Sequence, residues 1–149
     1  MVVTPDLLKS FPILKKVSKT VLESLAQQSS LQKIARRGIV LSAGKQEEHL
    51  CFLFEGRLQG VDFTIDGREV GLYFVEPGDY CGEIGLFDRG AQPEFVIALT
   101  AAMVVVVPMN TFREAMSKAP EIVNALGMKL AARVRQMTYQ RSLLGLPNI

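Results

Sequence analysis

Apolar positions recur at helical spacing over the first thirty residues, at short strand-like spacing from Leu31 to Val107, and at helical spacing again after Pro108. Thr4-Pro5 offers an N-cap followed by proline in the first turn, and Ser18 opens Val21, Leu22, Leu25 and Ala26 on one helical face. The middle half is paced by glycines. Ile39-Val40-Leu41, Leu50 to Phe54, Leu58 to Thr64, Val70 to Val75, Phe95 to Leu99 and Met103 to Val107 are strand-like. They are separated by breaks at Gly38, Ala43-Gly44, Glu55-Gly56, Asp66-Gly67, Pro77-Gly78 and Gly90. Asp66-Gly67 predicts a tight hairpin, because both residues tolerate positive φ. In the strand before it, Leu58 falls on the opposite parity to Val61, Phe63 and Ile65, which a bulge at Gly60 reconciles.

After Pro108, Phe112 and Met116 share a helical face up to the break at Ala119-Pro120. A long helix is expected from about Pro120 to Leu144. Ile122, Leu126, Leu130, Val134 and Met137 form an apolar stripe along it, and Val123, Leu130, Met137 and Leu144 recur every seven residues. This seam suits a second helix, and Val123, Leu126, Leu130, Val134, Met137 and Leu144 are its expected residues. Arg133 and Gln140 interrupt the other core position, so packing on the chain's own strands is the competing use of the helix.

A chain of 149 residues suits one domain. With 48% hydrophobic and 21% charged residues it has a globular composition, and no apolar run reaches the roughly 20 residues needed to cross a bilayer. The N-terminus lacks the basic start and apolar block of a secretory signal, so a cytoplasmic protein away from membranes is expected. A net charge of +2 gives no clustered basic excess for a polyanionic partner, and Lys9, Lys15, Lys16 and Lys19 read as a solvated helix face. Two cysteines, Cys51 and Cys81, are too few for a four-thiolate cluster or zinc site, and their apolar settings suggest buried free thiols. His49 is the only histidine and reads as a strand-edge surface residue. No metal site, no catalytic constellation and no enzyme are therefore expected.

Gly82-Glu83-Ile84-Gly85-Leu86-Phe87 carries the candidate chemistry. Two glycines flank a carboxylate just after a strand-like run, as in an anion- and ribose-binding turn. A phosphate site would want a cation near Gln92 or Pro93, and neither residue is one.

Together with Gly38 to Gly44, Phe52 to Gly56, Asp66 to Val70, Pro77 to Glu83 and the long last helix, this order of motifs resembles the cyclic-nucleotide-binding domain of the catabolite-activator and fumarate–nitrate-regulator superfamily. The resemblance implies a mainly β fold with flanking helices: a double-stranded β-helix, or jelly-roll-like β-roll, with N-terminal helices and a long C-terminal helix. Residues 1–149 would form one sensor domain, with helices over 1–30, a roll over 31–107 holding a phosphate-cassette-like segment at 82–94, and helices over 108–149. Gly82 and Glu83 match the positions that meet the ribose-phosphate, the glutamate accepting from the ribose 2′-hydroxyl. Amides near Ile84 and Gly85 would face the anion, while Gly85, Leu86 and Phe87 would pack the cassette on the roll.

The arginine that relatives place after the cassette falls on Gln92-Pro93 or, with a later gap, on Pro93-Glu94. Its absence loses a charge-assisted contact of about 1.5–3 kcal/mol. Glu94 adds repulsion, and Arg89 is the only nearby substitute. Thr138 matches the helix position that faces the purine. The resemblance also implies a homodimer through the long helix and a small-molecule effector, with a cyclic nucleotide as candidate and no resident cofactor. No DNA-reading element is expected in this chain. The leading expectation is an effector-sensing regulatory domain with a degenerate phosphate site, for which tight cyclic AMP or cyclic GMP binding is not expected. The alternative is a dimerisation or interaction module that binds no ligand, free-standing or excised from a regulator.

Overall fold

The computed structural model describes residues 2–145, with side chains through residue 139. Helix α1 (Pro5–Lys9) begins at Thr4, whose hydroxyl accepts from the Leu7 amide, and α2 (Lys19–Gln28) begins at Ser18, which accepts from Val21. Both caps satisfy amides that the first helical turn leaves without partners. A short 3-10 turn, Pro12–Leu14, lies between them.

Eight strands follow: β1 (Ser30–Ile34), β2 (Ile39–Leu41), β3 (His49–Glu55), β4 (Leu58–Phe63), β5 (Glu69–Val75), β6 (Tyr80–Cys81), β7 (Phe95–Ala98) and β8 (Ala102–Pro108). They form two antiparallel four-stranded sheets, in the orders β1-β8-β3-β6 and β2-β7-β4-β5. A short helix, α3 (Gly85–Asp88), sits between β6 and β7, and α4 (Met109–Lys118) and α5 (Pro120–Gly145) close the chain. This is the mainly β roll with flanking helices that the motif order implies. Strands β1 and β6 were not among the runs read from the pattern.

β3 explains why one strand reads as continuously apolar. Leu50 and Phe52 point into a core shared with the helices, while Cys51 and Leu53 point into the core between the two sheets. Both faces are buried, so the usual alternation disappears. β8 divides the same way, with Val105 and Val107 towards the helices and Ala102 and Val104 into the roll. At the centre of the helical core, Phe52 lies 5.0 Å from Phe11 and 5.9 Å from Phe112 between ring centroids.

Asp66-Gly67 does turn β4 into β5, with Gly67 at φ +85°, and the β4–β5 register shifts between Gly60 and Val61 as the parity break requires. The inward alternation stops there, however: Val61 is buried, whereas Phe63 and Ile65 are exposed. Phe87 is also exposed, so of the cassette's expected packing residues Leu86 is buried and Gly85 abuts Met109.

α5 enters the helical core through Ile122 and Leu126, both fully buried. Leu126 therefore belongs to the chain's own core and not to an exposed seam. Leu130 is half-buried, while Val123, Val134 and Met137 are exposed. The side chains of Gln140 and Leu144 lie outside the described residues.

Candidate functional site

Gly82 takes φ +86°, and a Cβ there would come within 3.0 Å of the Leu41 side chain and 3.5 Å of the β3 backbone. A glycine lets the chain turn against β3 and aim the next side chain inward. That side chain is Glu83, 2% exposed. Glu94, just before β7, is 5% exposed and faces the same interior. Two buried carboxylates this close need a cation.

The cation comes from α5. Arg133 places Nη1 3.4 Å from Glu83 Oε1 and Nη2 3.2 Å from Glu94 Oε1. Its guanidinium also lies 4.5 Å from the centre of the Tyr73 ring, and the Tyr73 hydroxyl donates to Glu94. One turn earlier, Lys129 donates to the Tyr80 carbonyl at 2.7 Å, with its ammonium 3.7 Å from the Tyr80 ring centre. Ile122, Leu126, Lys129 and Arg133 thus lie on one helical face, apolar over the core and cationic across the mouth of the roll.

Tyr73 reaches the interior because its cross-strand partner is Gly60: a Cβ at that position would approach the tyrosine ring to 2.3 Å. The ring takes up the room that the missing side chain leaves.

These groups perturb one another in a consistent sense. Desolvation, followed by the hydrogen bond to Glu94, pushes the Tyr73 hydroxyl well above the ordinary tyrosine value. Desolvation, followed by Glu83 and Asp79, raises Tyr80 likewise. Burial pulls Lys129 down, with Glu83 and Asp79 working against it. For Arg133 desolvation is the largest single influence and is downward. Tyr73, Glu83 and Glu94 together outweigh it and hold the guanidinium above its usual value.

Arg133 divides the mouth of the roll into two small cavities. One, of about 170 Å³, is bordered by Tyr73, Tyr80, Cys81, Glu83 and Lys129; the other, of about 100 Å³, by Leu72, Tyr73, Glu94 and Met137. Each falls below the roughly 300 Å³ at which small-molecule pockets begin.

Of the residues expected at the site, Glu83 and its Gly82 turn are brought to the interior. Gln92 is buried, but its backbone pairs with Gly44 and Lys45 and it borders neither cavity. Arg89 does not replace the missing cation: it ends α3 in the left-handed conformation, exposed, and borders a separate outer cavity of about 370 Å³ with Gly85, His49 and Arg113. Ile84 borders neither roll cavity and caps a helix of only four residues. Thr138 is exposed, donates to the Val134 carbonyl of its own helix and borders neither roll cavity. Sequence reasoning missed Arg133, Lys129 and Tyr73, and treated Arg133 as a flaw in the helix seam. The visible signal was the i, i+4, i+7, i+11 spacing that joins Lys129 and Arg133 to Ile122 and Leu126. Among the described residues no group of three or more His, Cys, Asp or Glu side chains is placed to hold a metal ion, and no helix is long and apolar enough to cross a membrane.

A two-sheet antiparallel roll with an inward Gly-Glu turn, a short helix after it and a long closing helix defines the β-roll class of folds. Residues 31–119 match the cyclic nucleotide-binding domain, and the chain belongs to that family. It is 27% identical over 124 residues to the cAMP-activated global transcriptional regulator CRP of Pasteurella multocida, covering 83% of this chain and 59% of that protein. It is 29% identical over 121 residues to the regulator Vfr of Pseudomonas aeruginosa, covering 78% and 56%. The chain thus spans a little over half the length of these curated relatives. Among solved structures, the sensor domain of the transcriptional regulator DNR from Pseudomonas aeruginosa superposes with a TM-score of 0.77 at 19% identity, over 89% of each chain. Thermus thermophilus catabolite activator protein gives 0.77 at 17% identity, over 90% of this chain and 63% of that one. A regulatory subunit of a cAMP-independent protein kinase A from Trypanosoma brucei gives 0.76 at 20% identity, over 93% and 49%. At such identities these structures establish the shared fold.

Proposed function

We propose that this chain is an effector-sensing regulatory domain of the kind that transcription regulators carry, with the phosphate side of its ligand site closed by the protein's own side chains. Glu94, held by Arg133 and Tyr73, is the observation that carries this reading. A carboxylate and its cation occupy the region where a cyclic phosphate would need a free guanidinium, and a phosphate brought there would have to compete with Glu94 for Arg133. The same fold in the T. brucei regulatory subunit of a cAMP-independent protein kinase A is consistent with this reading.

Signalling would then run through α5. Beyond Leu126 the helix is anchored to the roll by Lys129 and Arg133. An effector that binds better when those contacts are open shifts the population towards a released helix. The exposed Val123, Val134 and Met137, beside half-buried Leu130, suit a homodimer contact along the same helix. The same reading places the protein in the cytoplasm and gives it no catalytic role.

Calorimetric titration with cyclic AMP and cyclic GMP tests it. The wild-type chain should give no binding heat at millimolar nucleotide. Glu94→Ala removes the resident anion and frees the Arg133 guanidinium for a phosphate, and should tighten binding at least tenfold. Micromolar binding by the unaltered chain would overturn the closed-pocket reading. A Glu94→Ala chain that remains silent would point to the alternative, an interaction module without a ligand.

A further inference from the structure

The chain's two cysteines, one on β3 and one on β6, are directly opposite each other: Cys51 pairs with Cys81 in the antiparallel ladder. Both are free and buried, and both side chains enter the core between the sheets, so they leave the ladder on the same side. Directly opposed residues of antiparallel strands have Cα atoms roughly 4.5–5.5 Å apart. That lies within the roughly 4.4–6.8 Å that a disulfide spans. Contact with the Cys51 thiol, and then burial, push the Cys81 thiol up. Cys81 also borders the cavity of about 170 Å³ beside Glu83, Lys129 and Arg133, which gives a small oxidant a route to it.

We propose that Cys51 and Cys81 form a reversible cross-strand disulfide, a modification site for oxidants of the peroxide class. The Cys81 sulfur attacks a peroxide oxygen and the O–O bond breaks, giving a sulfenic acid and one molecule of water. The Cys51 sulfur then attacks the sulfenyl sulfur. An S–S bond forms and the hydroxyl leaves with the remaining thiol proton as a second water. The two thiols lose two electrons and the peroxide gains them. A dithiol reverses the reaction by exchange. The bond would close the segment carrying β4 and β5 and would fix the start of the Gly82-Glu83 turn to β3. It therefore acts on the effector site from the covalent side and does not depend on which effector is bound.

The purified whole chain, treated with hydrogen peroxide, then denatured and alkylated, gives the answer by intact mass. The expected product is monomeric, two hydrogens lighter and free of alkylatable thiols, and dithiothreitol restores both thiols. It should also melt at a higher temperature than the reduced chain, because the cross-link restricts the unfolded state. Cys51→Ser and Cys81→Ala should each abolish this product; the wild-type masses decide the matter even if a variant fails to fold. Two thiols that stay alkylatable in the native chain, at peroxide levels that oxidise the denatured chain, overturn the proposal. So does a product that is an intermolecular disulfide or a sulfinic acid.

Discussion

Tyr73 shows how one side chain couples the shape of the pocket to its charge. Its ring fills the space above Gly60, and its hydroxyl serves a carboxylate that shares a single cation with Glu83. The raised tyrosine value has a consequence for stability against pH. A group whose folded value lies above its unfolded value contributes stability that is complete below the unfolded value, about 10 for tyrosine, and is lost as pH rises above it. Tyr80 acts in the same sense and Cys81 begins the decline earlier, whereas the lowered Lys129 opposes it. The difference between the wild type and Tyr73→Phe isolates Tyr73. In urea unfolding from pH 8 to 11, the wild type should lose about 1.4 kcal/mol per pH unit more than the variant above pH 10. Equal slopes would mean that Tyr73 titrates as an exposed phenol. At this scale the sequence gives up Glu83, because the Gly-Glu turn is local. It gives only part of Glu94: read alone it is a repulsive charge, and in the fold it is also one of two carboxylates gripped by a guanidinium 39 residues away.

Helix α5 serves two purposes along its length, and the division falls near Leu126. The period of its apolar positions was legible, but a stripe of that width fits a partner helix or the chain's own core equally well. Ile122 and Leu126 went to the core, leaving Val123, Val134 and Met137 for solvent or a second copy. Leu126→Ala should cost about 2–5 kcal/mol in denaturant unfolding, the range for a buried leucine. Val134→Glu should leave unfolding within about 0.5 kcal/mol of wild type, yet move the sedimentation coefficient from dimer to monomer. A Val134→Glu chain that sediments as the wild type does would remove this face as the dimer contact. Elsewhere, elements were legible where turn chemistry is local, as at Thr4, Ser18 and Asp66-Gly67. β1, Ser30-Leu31-Gln32-Lys33-Ile34, escaped because its residues are exposed or half-buried without a clean alternation. β6 escaped because two residues carry no period.

For the molecule as a whole, the roll and the long helix share a hydrophobic core up to Leu126, with Lys129 and Arg133 of α5 making polar contacts to the roll beyond it. Hydrogen exchange should follow that division. Amides near Ile122 and Leu126 should share the protection of the sheets, and those beyond Arg133 should exchange faster. Arg133→Ala leaves Glu83 and Glu94 buried without their cation, a change that typically costs about 3–5 kcal/mol, and should move the fast-exchanging boundary back towards Gly127. An unmoved boundary would show that Arg133 does not hold the helix. The chain's glycine-paced strands, caps and hairpin turn are written in neighbouring residues, because each depends on backbone geometry over a few positions, and their order is enough to identify the family. Which charges meet inside the roll depends on packing over distances of 39 to 50 residues, which no local pattern records. Only the folded chain could bring Arg133 to Glu83 and Glu94, supplying from α5 the cation that is absent at Gln92-Pro93.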